Sequence, residues 1–435
     1  MTAHRSRLVD WASHLWRPDF KRFSGFGWIV RLVLALPLLA LAIIALALIA
    51  GTIVNFIMAL AGRGDFAGPD HHSEAIHDIG LVLAALVGVP FLVWRSIVAY
   101  RQVNVAEQGL ITDRLNKAVE GLGAEKTVKR RLTHPDGTTE IEETTAPNIE
   151  VRIGAIYALE RISRDSDRDH VNVMEILCAY IRENAPASSA RNPEDDGIET
   201  PNQLSEIASV DDRKAHLKMV TKRNLLMASW LLKRENIRPP RSDVGIALAV
   251  IGRRAPDRVV LEKSSGAYQR QPSYRLDLRN TSLQLADLNE RDFSEARLTG
   301  ARLEGANLRQ TLMRRADLIG ATMDGSRLSD SNLDGANLSV AQLDGATLSR
   351  AKLSPSTKLI GTSIRGAAIK GLDFSGIWIR QEQIETAFGD GSTIIGNLQR
   401  PTHWPSADLE DYTFSIEYNC WRADPASYVP PQDRA

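Results

Sequence analysis

Three histidines and an aspartate stand close together as His71, His72, His77 and Asp78. Imidazole and carboxylate groups are the usual ligands of divalent transition metals, so this quartet is the first candidate for metal chemistry. It falls in a short polar stretch between two apolar runs, which reads as a loop. Solvated loop histidines outnumber ligands, so no metal and no cofactor is expected. A second candidate, Asp330-Ser331-Asn332-Leu333-Asp334-Gly335, opens like a calcium-binding loop, but the twelfth position, which must supply a bidentate glutamate, is Ala341. Cys178 and Cys420 lie far apart and exclude a disulfide framework; both read as structural thiols. The chain has no phosphate-cradling glycine loop, no paired-histidine zinc helix and no Gly-x-Ser-x-Gly elbow. Carboxylates abound in the C-terminal half, at positions that read as an outward, solvated face. Acid–base work needs two of them held in a dry cleft, so catalysis is not expected.

The elements that carry these residues are dominated by one periodicity. An apolar residue returns at every fifth position as Leu278, Leu283, Leu288, Phe293, Leu298, Leu303, Leu308, Met313, Leu318, Met323, Leu328, Leu333, Leu338, Leu343, Leu348 and Leu353. A small residue such as Ala286, Ala306 or Ala336 stands two places before most of them. A period of five fits neither an α-helix nor an alternating strand. It requires short segments that turn corners and close a narrow tube with a filled interior, that is, a solenoid. After Ser354-Pro355-Ser356-Thr357-Lys358 the register slips by one residue, and the centres resume as Leu359, Ile364, Ile369, Phe374 and Ile379. The slip predicts a loop or bulge at one corner.

Ala286-Asp287-Leu288, Ala306-Asn307-Leu308, Ala316-Asp317-Leu318 and Ala336-Asn337-Leu338 resemble the Ala-(Asp/Asn)-Leu-x-x pattern of the pentapeptide-repeat family. The resemblance implies a right-handed quadrilateral parallel β-helix over residues 276–380, with four pentapeptides to a coil. The family's best-known activity is protection of gyrase by an acidic array that imitates DNA. Residues 276–380 hold 12 Asp or Glu against 14 Lys or Arg, a net of two positive charges (14 − 12). A duplex carries a negative charge every ~1.7 Å, so mimicry is disfavoured and no nucleic acid is expected.

Upstream, Leu32 to Gly62 contains no charged residue, and Ile79 to Tyr100 contains only Arg95. About 20 apolar residues cross a bilayer, so two transmembrane helices are expected, over 28–62 and 79–100. Basic residues flank them at Arg17, Lys21, Arg22 and Arg31 on one side and Arg95 and Arg101 on the other, whereas the loop 63–78 has only Arg63. The positive-inside rule then puts both termini, including the segment 1–27, in the cytoplasm and the loop outside. Leu8, Trp11 and Leu15 share one helical face there, which fits an interfacial helix as well as the segment fits a disordered tail.

Residues 101–265 read as a cytoplasmic helical domain. Leu110, Leu115, Val119 and Leu122 pattern a first helix, and Pro135-Asp136-Gly137 turns between two polar arms of a hairpin. Val151, Ala155, Ala158, Leu159 and Ile162, then Val173, Leu177, Tyr180 and Ile181, pattern two more helices, and the stretch from Asn148 to Arg164 resembles the first helix of a HEAT-like pair. Residues 185–210 read as an exposed linker, followed by a charged helix over 211–236 and a short helix to Arg253. Residues 381–435 read as a cap helix and tail, with Ile384 and Phe388 over the open end of the last coil.

The order of spans, helices and array resembles a group of membrane-anchored bacterial pentapeptide-repeat proteins; Gln381-Glu382-Gln383-Ile384, Phe388-Gly389-Asp390 and Arg400-Pro401-Thr402-His403-Trp404 extend the likeness past the array. The fold class expected is multidomain α + β: a transmembrane hairpin, a helical domain and a β-helix. The function expected is an interaction or scaffolding surface at the bacterial inner membrane, with the lipid bilayer and an unidentified protein as partners and no small-molecule substrate. A sensor or transport-associated membrane subunit is the alternative.

Overall fold

The computed structural model describes residues 47, 50, 51, 54 and 58 and, continuously, 69–133, 139–199, 210–233, 237–264 and 273–434. The segment 1–27 with its interfacial helix, most of the first apolar run, residues 63–68 and the turn at Pro135-Asp136-Gly137 lie outside the described residues. The chain divides into two compact units, Met1–Gly109 and Leu110–Ala435.

In the first unit, positions 47, 50, 51, 54 and 58 are helical, and helix α1 begins at Pro69 and runs to Leu122. His71, His72, His77 and Asp78 therefore stand on a helix, not in a loop. Proline suits the first helical position, Asp70 follows in the first turn, and no breaker interrupts the chain before Gly80. Val54, Met58 and the run Phe91 to Trp94 are exposed. Among the described residues, no helix is long and apolar enough to cross a membrane.

The second unit opens with the end of α1, whose Ile111, Leu115, Ala118 and Leu122 join its core. Strands β1 (Glu125–Thr133) and β2 (Thr139–Pro147) form the expected antiparallel hairpin, with Thr133 opposite Thr139. Helices α2 (Ile149–Asp165) and α3 (His170–Asn184) follow. The buried face of α2 is Arg152, Ala155, Ile156, Leu159 and Ile162, whereas Val151 and Ala158 are exposed. The apolar stripe is rotated because Arg152 turns inward, donating to Ala124 O at 2.9 Å and Asn184 Oδ1 at 3.1 Å. Helices α4 (Val210–Leu232), α5 (Ser242–Gly252) and α6 (Pro256–Ser264) complete the helical part. Tyr180 Oη donates to buried Asp243 at 2.5 Å and ties α3 to α5.

From Asp277 the backbone forms a ladder of parallel bridges spaced by 20 residues, Asp277 with Arg297 through Asn332 with Lys352. Each coil therefore has four five-residue sides. The apolar centres from Leu278 to Leu348 and from Leu359 to Ile379 are buried, and Leu353 alone is half-buried, beside the register slip. There the bridges change to 21 residues, Asn337 with Lys358. The extra residue is absorbed by a turn in which Thr357 N donates to Ser354 O at 2.8 Å and the Thr357 hydroxyl reaches back to Leu333 O at 3.1 Å.

Most corners are turns closed from the residue three places on back to the preceding centre, as in Ala286 N to Leu283 O at 3.1 Å. Their third residue takes positive φ, from Asn280 at 53° to Gly376 at 72°. That geometry is the type II requirement and favours glycine or asparagine. Val340 occupies such a corner at φ 60°, where a β-branched side chain crowds its own backbone.

The stretch 185–199 is not an exposed linker. Pro186 bridges Thr281, Ala187 N donates to Asn280 O and Ser282 N donates to Ala185 O, both at 2.7 Å. Asp292 N, on another side of the first coil, donates to Gly252 O at 2.7 Å. The helical part thus pairs the free backbone edge with which the tube begins, an edge that would otherwise recruit another chain. At the far end, Ile384 lies on α7 (Gln381–Glu385), but Phe388 has left that helix and continues the ladder opposite Ala368. Helix α8 (Asp411–Ala423) closes this end with Phe414, Tyr418 and Trp421 around Phe388.

Relieving the Val340 corner should stabilise the protein. Val340→Gly is expected to add about 1 kcal/mol, read as a higher thermal midpoint, because a left-handed corner costs an L-residue about 1–2 kcal/mol. An unchanged or lower midpoint would contradict the corner geometry.

Candidate functional site

On one side of the tube the centres are Leu283, Leu303, Met323, Leu343 and Ile364, and the residues that follow them are Gln284, Glu304, Asp324, Asp344 and Arg365. These five stack in one column along successive coils. In a bare array this position faces water, and the sequence suggested that its carboxylates do too. They do not. Asp324 and Asp344 are each 2% exposed and Glu304 1%. Helix α4 lies across the column and turns inward His216, Val220, Arg223, Asn224, Met227 and Trp230.

Arg223 reaches both aspartates, with Nη2 at 2.6 Å from Asp324 Oδ2 and Nη1 at 3.3 Å from Asp344 Oδ2. Arg365 closes the other side of Asp344, with Nη2 at 3.0 Å from Oδ2 and its backbone N–H at 3.1 Å from Oδ1. Oδ1 also accepts the Ser363 hydroxyl, and Asp324 Oδ1 accepts the Asp344 backbone N–H at 3.0 Å. Two guanidinium groups thus balance two carboxylates in a nearly dry seam. Glu304 takes Arg302 Nε at 2.6 Å, and Gln284 exchanges two hydrogen bonds with the Arg191 backbone. Burial and the facing charge of Asp344 push the Asp324 carboxyl up to about 7, against the pull of Arg223. Burial and the nearby Arg365 hold the His216 imidazole below its usual value.

The signal that marks this side in the sequence is glycine. The corner after each centre from the second coil on is Gly305, Gly325, Gly345 and Gly366, an unbroken run, whereas the other sides mix glycines such as Gly300, Gly320 and Gly335 with Asn, Glu, Gln, Asp, Arg or Val. Positive φ alone does not require this, because those other residues adopt it. Close approach does: a Cβ on Gly366 would lie 2.1 Å from Asn224 Nδ2, and one on Gly325 would lie 2.5 Å from Leu231 Cδ1. A stripe of glycine shows where α4 must press against the tube.

A second buried polar cluster joins α2, α3 and α6. The Ser163 hydroxyl and His170 Nδ1 are 2.7 Å apart, and His170 Nε2 is 2.9 Å from Glu262 Oε1. With the carboxylate accepting from Nε2–H, Nδ1 carries the lone pair that accepts the serine proton. All three side chains are buried. Cys178 is buried as expected, and burial pushes its thiol up to about 11, which disfavours the reactive thiolate. Cys420 is exposed. Asp330, in the calcium-like stretch, is instead paired with Arg350 at 2.8 Å. The side chains of His71, His72, His77 and Asp78 lie outside the described residues, and among the described residues no group of metal-binding side chains is assembled.

The model for pentapeptide repeats matches residues 275–310, 292–330 and 323–354, in eight copies. The tube is built of pentapeptide repeats. Such repeats wind as a right-handed quadrilateral β-helix, and the 20-residue ladder is its coil. Among solved structures, alr5209, a pentapeptide repeat protein from Nostoc PCC 7120, is 27% identical over 22% of this chain and 84% of its own, with a TM-score of 0.19. HetL, a pentapeptide repeat protein involved in heterocyst differentiation regulation in Nostoc sp. strain PCC 7120, is 23% identical over 31% of this chain and 69% of its own, with a TM-score of 0.17. A trypsin-treated form of QnrB1, a plasmid-mediated fluoroquinolone resistance protein, is 15% identical over 33% and 79%, with a TM-score of 0.19. None of the curated proteins compared with the chain matches it.

Two outcomes test the clamp between α4 and the pentapeptide-repeat tube. Arg223→Met leaves two buried carboxylates short of a partner and should cost about 3–5 kcal/mol, seen as loss of hydrogen-exchange protection across 210–232. A pH series tests Asp324. Its unfolded pKa lies near 4 and its folded value near 7, so the folded state binds the extra proton between them. Its contribution to stability is then greatest at the acid end and falls as pH rises through that window. Asp324→Asn should flatten this slope in denaturant midpoints taken across the same range.

Proposed function

We propose that this pentapeptide-repeat protein is a non-catalytic interaction scaffold held at a bacterial inner membrane. One observation carries the scaffold reading. On the side of the tube whose centres are Leu318, Leu338, Leu359 and Ile379, successive coils expose Ile319, Val340, Ile360 and Trp378, and Val340 and Ile360 are joined by a ladder hydrogen bond of 2.9 Å. Val340, Ile360 and Trp378 are 63%, 54% and 60% exposed. Apolar side chains gathered on one rigid face, with a tryptophan among them, are the composition of a protein-binding hot spot. The side under α4 is already occupied, so this face is the one offered to a partner.

The membrane part of the proposal rests on the uncharged run from Leu32 to Gly62, the run Ile79–Tyr100 with only Arg95, and the exposed Phe91 to Trp94. The basic flanks favour cytoplasmic termini. Imitation of DNA is disfavoured by the array's balanced charge and by guanidinium groups that already neutralise its buried acidic column.

A photo-crosslinking residue at Ile360 in native membranes should yield one dominant protein adduct. Trp378→Ala should weaken that capture at least about tenfold without moving the thermal midpoint, as an exposed hot-spot residue would. Adducts no different from those of a probe at exposed Arg309 would rule out this face. Recovery of the chain in the carbonate-washed supernatant rather than the membrane pellet would rule out the anchor.

A further inference from the structure

The apolar side of the tube, with centres Leu318, Leu338 and Leu359, shares a corner with the side under α4. From the second coil on, that corner reads Gly300, Gly320, Val340 and Gly361. The outward residues just after the centres are Thr299, Ile319, Ser339 and Ile360, all uncharged, where the side under α4 has Glu304, Asp324, Asp344 and Arg365. Under α4, a Cβ on Gly325 or Gly366 would strike the helix. A Cβ on Gly320 would meet no described residue within 4 Å, and one on Gly361 would meet Val340 Cγ2 at 3.9 Å. Two adjoining sides are thus edged by glycine, one covered by a helix and the other open.

Val340 stands between the two open hollows. It holds a left-handed corner at φ 60° and is 63% exposed, where glycine would carry less strain. A conformation this costly, kept for a side chain left in water, fits a residue selected for contact. Backbone chemistry restricts the form of that contact. On this side Leu338 N–H donates to Lys358 O at 2.9 Å and Asn337 O accepts from Leu318 N–H at 2.8 Å. The N–H groups of Ile319 and Ser339 are taken by the side chains of Asp317 and Asn337. An added strand, which binds through main-chain hydrogen bonds, finds these groups already committed. Ile319 to Trp378 covers successive coils over roughly 14 Å at a coil spacing of ~4.8 Å, the length of about nine residues of helix.

We propose that this face is the docking site for an amphipathic α-helix of another protein, laid along the tube axis beside α4. Its apolar stripe would seat Val340 between side chains and press small residues into the hollows at Gly320 and Gly361, with Trp378 as the anchor at one end. The inference rests on this face being the one offered to a partner, and adds the partner's form. Charge selects the stripe: the carboxylates under α4 call for Arg223, whereas a guanidinium buried over Thr299 to Ile360 would meet no anion in that column.

A photo-crosslinking residue is placed singly at Ile319 and at Ile360 of the full chain in native membranes, and the adduct sites are mapped on the captured protein. These positions lie two coils apart, so on a helix along the tube axis their adducts fall about six or seven residues apart, and on a strand about three. The helical interval is the expected result. Val340→Gly should lower the Ile360 adduct at least about fivefold even as the thermal midpoint rises, because it removes the contact together with the strain. Gly320→Asn fills an open hollow with a residue that tolerates the left-handed corner, and should lower capture as much with the midpoint unchanged. Gly371→Asn, on the diagonally opposite corner, should leave capture unchanged. A strand-like interval, scattered sites, adducts within this chain's own sequence, or full capture by both variants overturns the helix while leaving the face as a binding surface. No adduct above that of a probe at Arg309 removes both.

Discussion

Closing a tube every 20 residues leaves an interior wide enough for one large and one small side chain per side, and nothing else. That constraint governs the rest of this structure. Leu, Phe, Met or Ile recurs at each centre, Ala, Ser or Thr stands two places before most of them, and the regular corners take positive φ. The backbone groups along each side are then satisfied only by the neighbouring coil, as when Leu288 N–H donates to Asn307 O at 2.8 Å and Asn307 N–H to Ala286 O at 2.9 Å. Such a stack is self-consistent in its middle and unsatisfied at both ends.

The two ends receive different solutions. The first coil is paired by pieces of the helical domain, Ala185 to Ala187 on one side and Gly252 on another. The last is extended by Phe388 and Ile394, then sealed by aromatic rings, with Trp404 Nε1 donating to Ala387 O at 2.9 Å and Tyr418 Oη to Gly366 O at 2.8 Å. Helical domain and β-helix therefore share one core, because an uncapped array would leave polar backbone facing either bare solvent or another chain.

Helix α4 adds a lateral contact of another kind. It crosses the coils rather than an end, on a side cleared by glycine, and it is held by ions as well as by apolar burial. Buried pairs of this sort contribute little net stability, since desolvation offsets attraction, but they are intolerant of mismatch. Arg223 can satisfy Asp324 and Asp344 together only in one register of helix on tube, so the clamp specifies where α4 sits. Covering this side leaves the opposite balance on the side with Ile319, Val340, Ile360 and Trp378, where apolar groups remain in water. That contrast between an occupied side and an open one is what gives the scaffold reading its direction.

The array was legible in the residues alone, including the slip at Pro355, because a tube this narrow admits no other residue in its interior and so writes its period into the chain. The hairpin arms and the helices at 149–165 and 170–184 were legible for a similar, local reason. The carboxylates were not. Asp324 and Asp344 occupy the same repeat position as any solvated outward residue, and their burial comes from a helix about a hundred residues away, through Arg223. Nor did the composition of 185–199 disclose its role, since a proline- and acid-rich stretch looks alike whether it is solvated or lying along a sheet edge. The same holds for Ser163, His170 and Glu262, which only the packing of α2, α3 and α6 brings together. The sequence by itself determined the local repeat, because backbone turn and side-chain volume act within five residues. Which outward groups meet water, and which meet one another, was decided by tertiary structure, because desolvation depends on what covers a surface and not on the residues that form it.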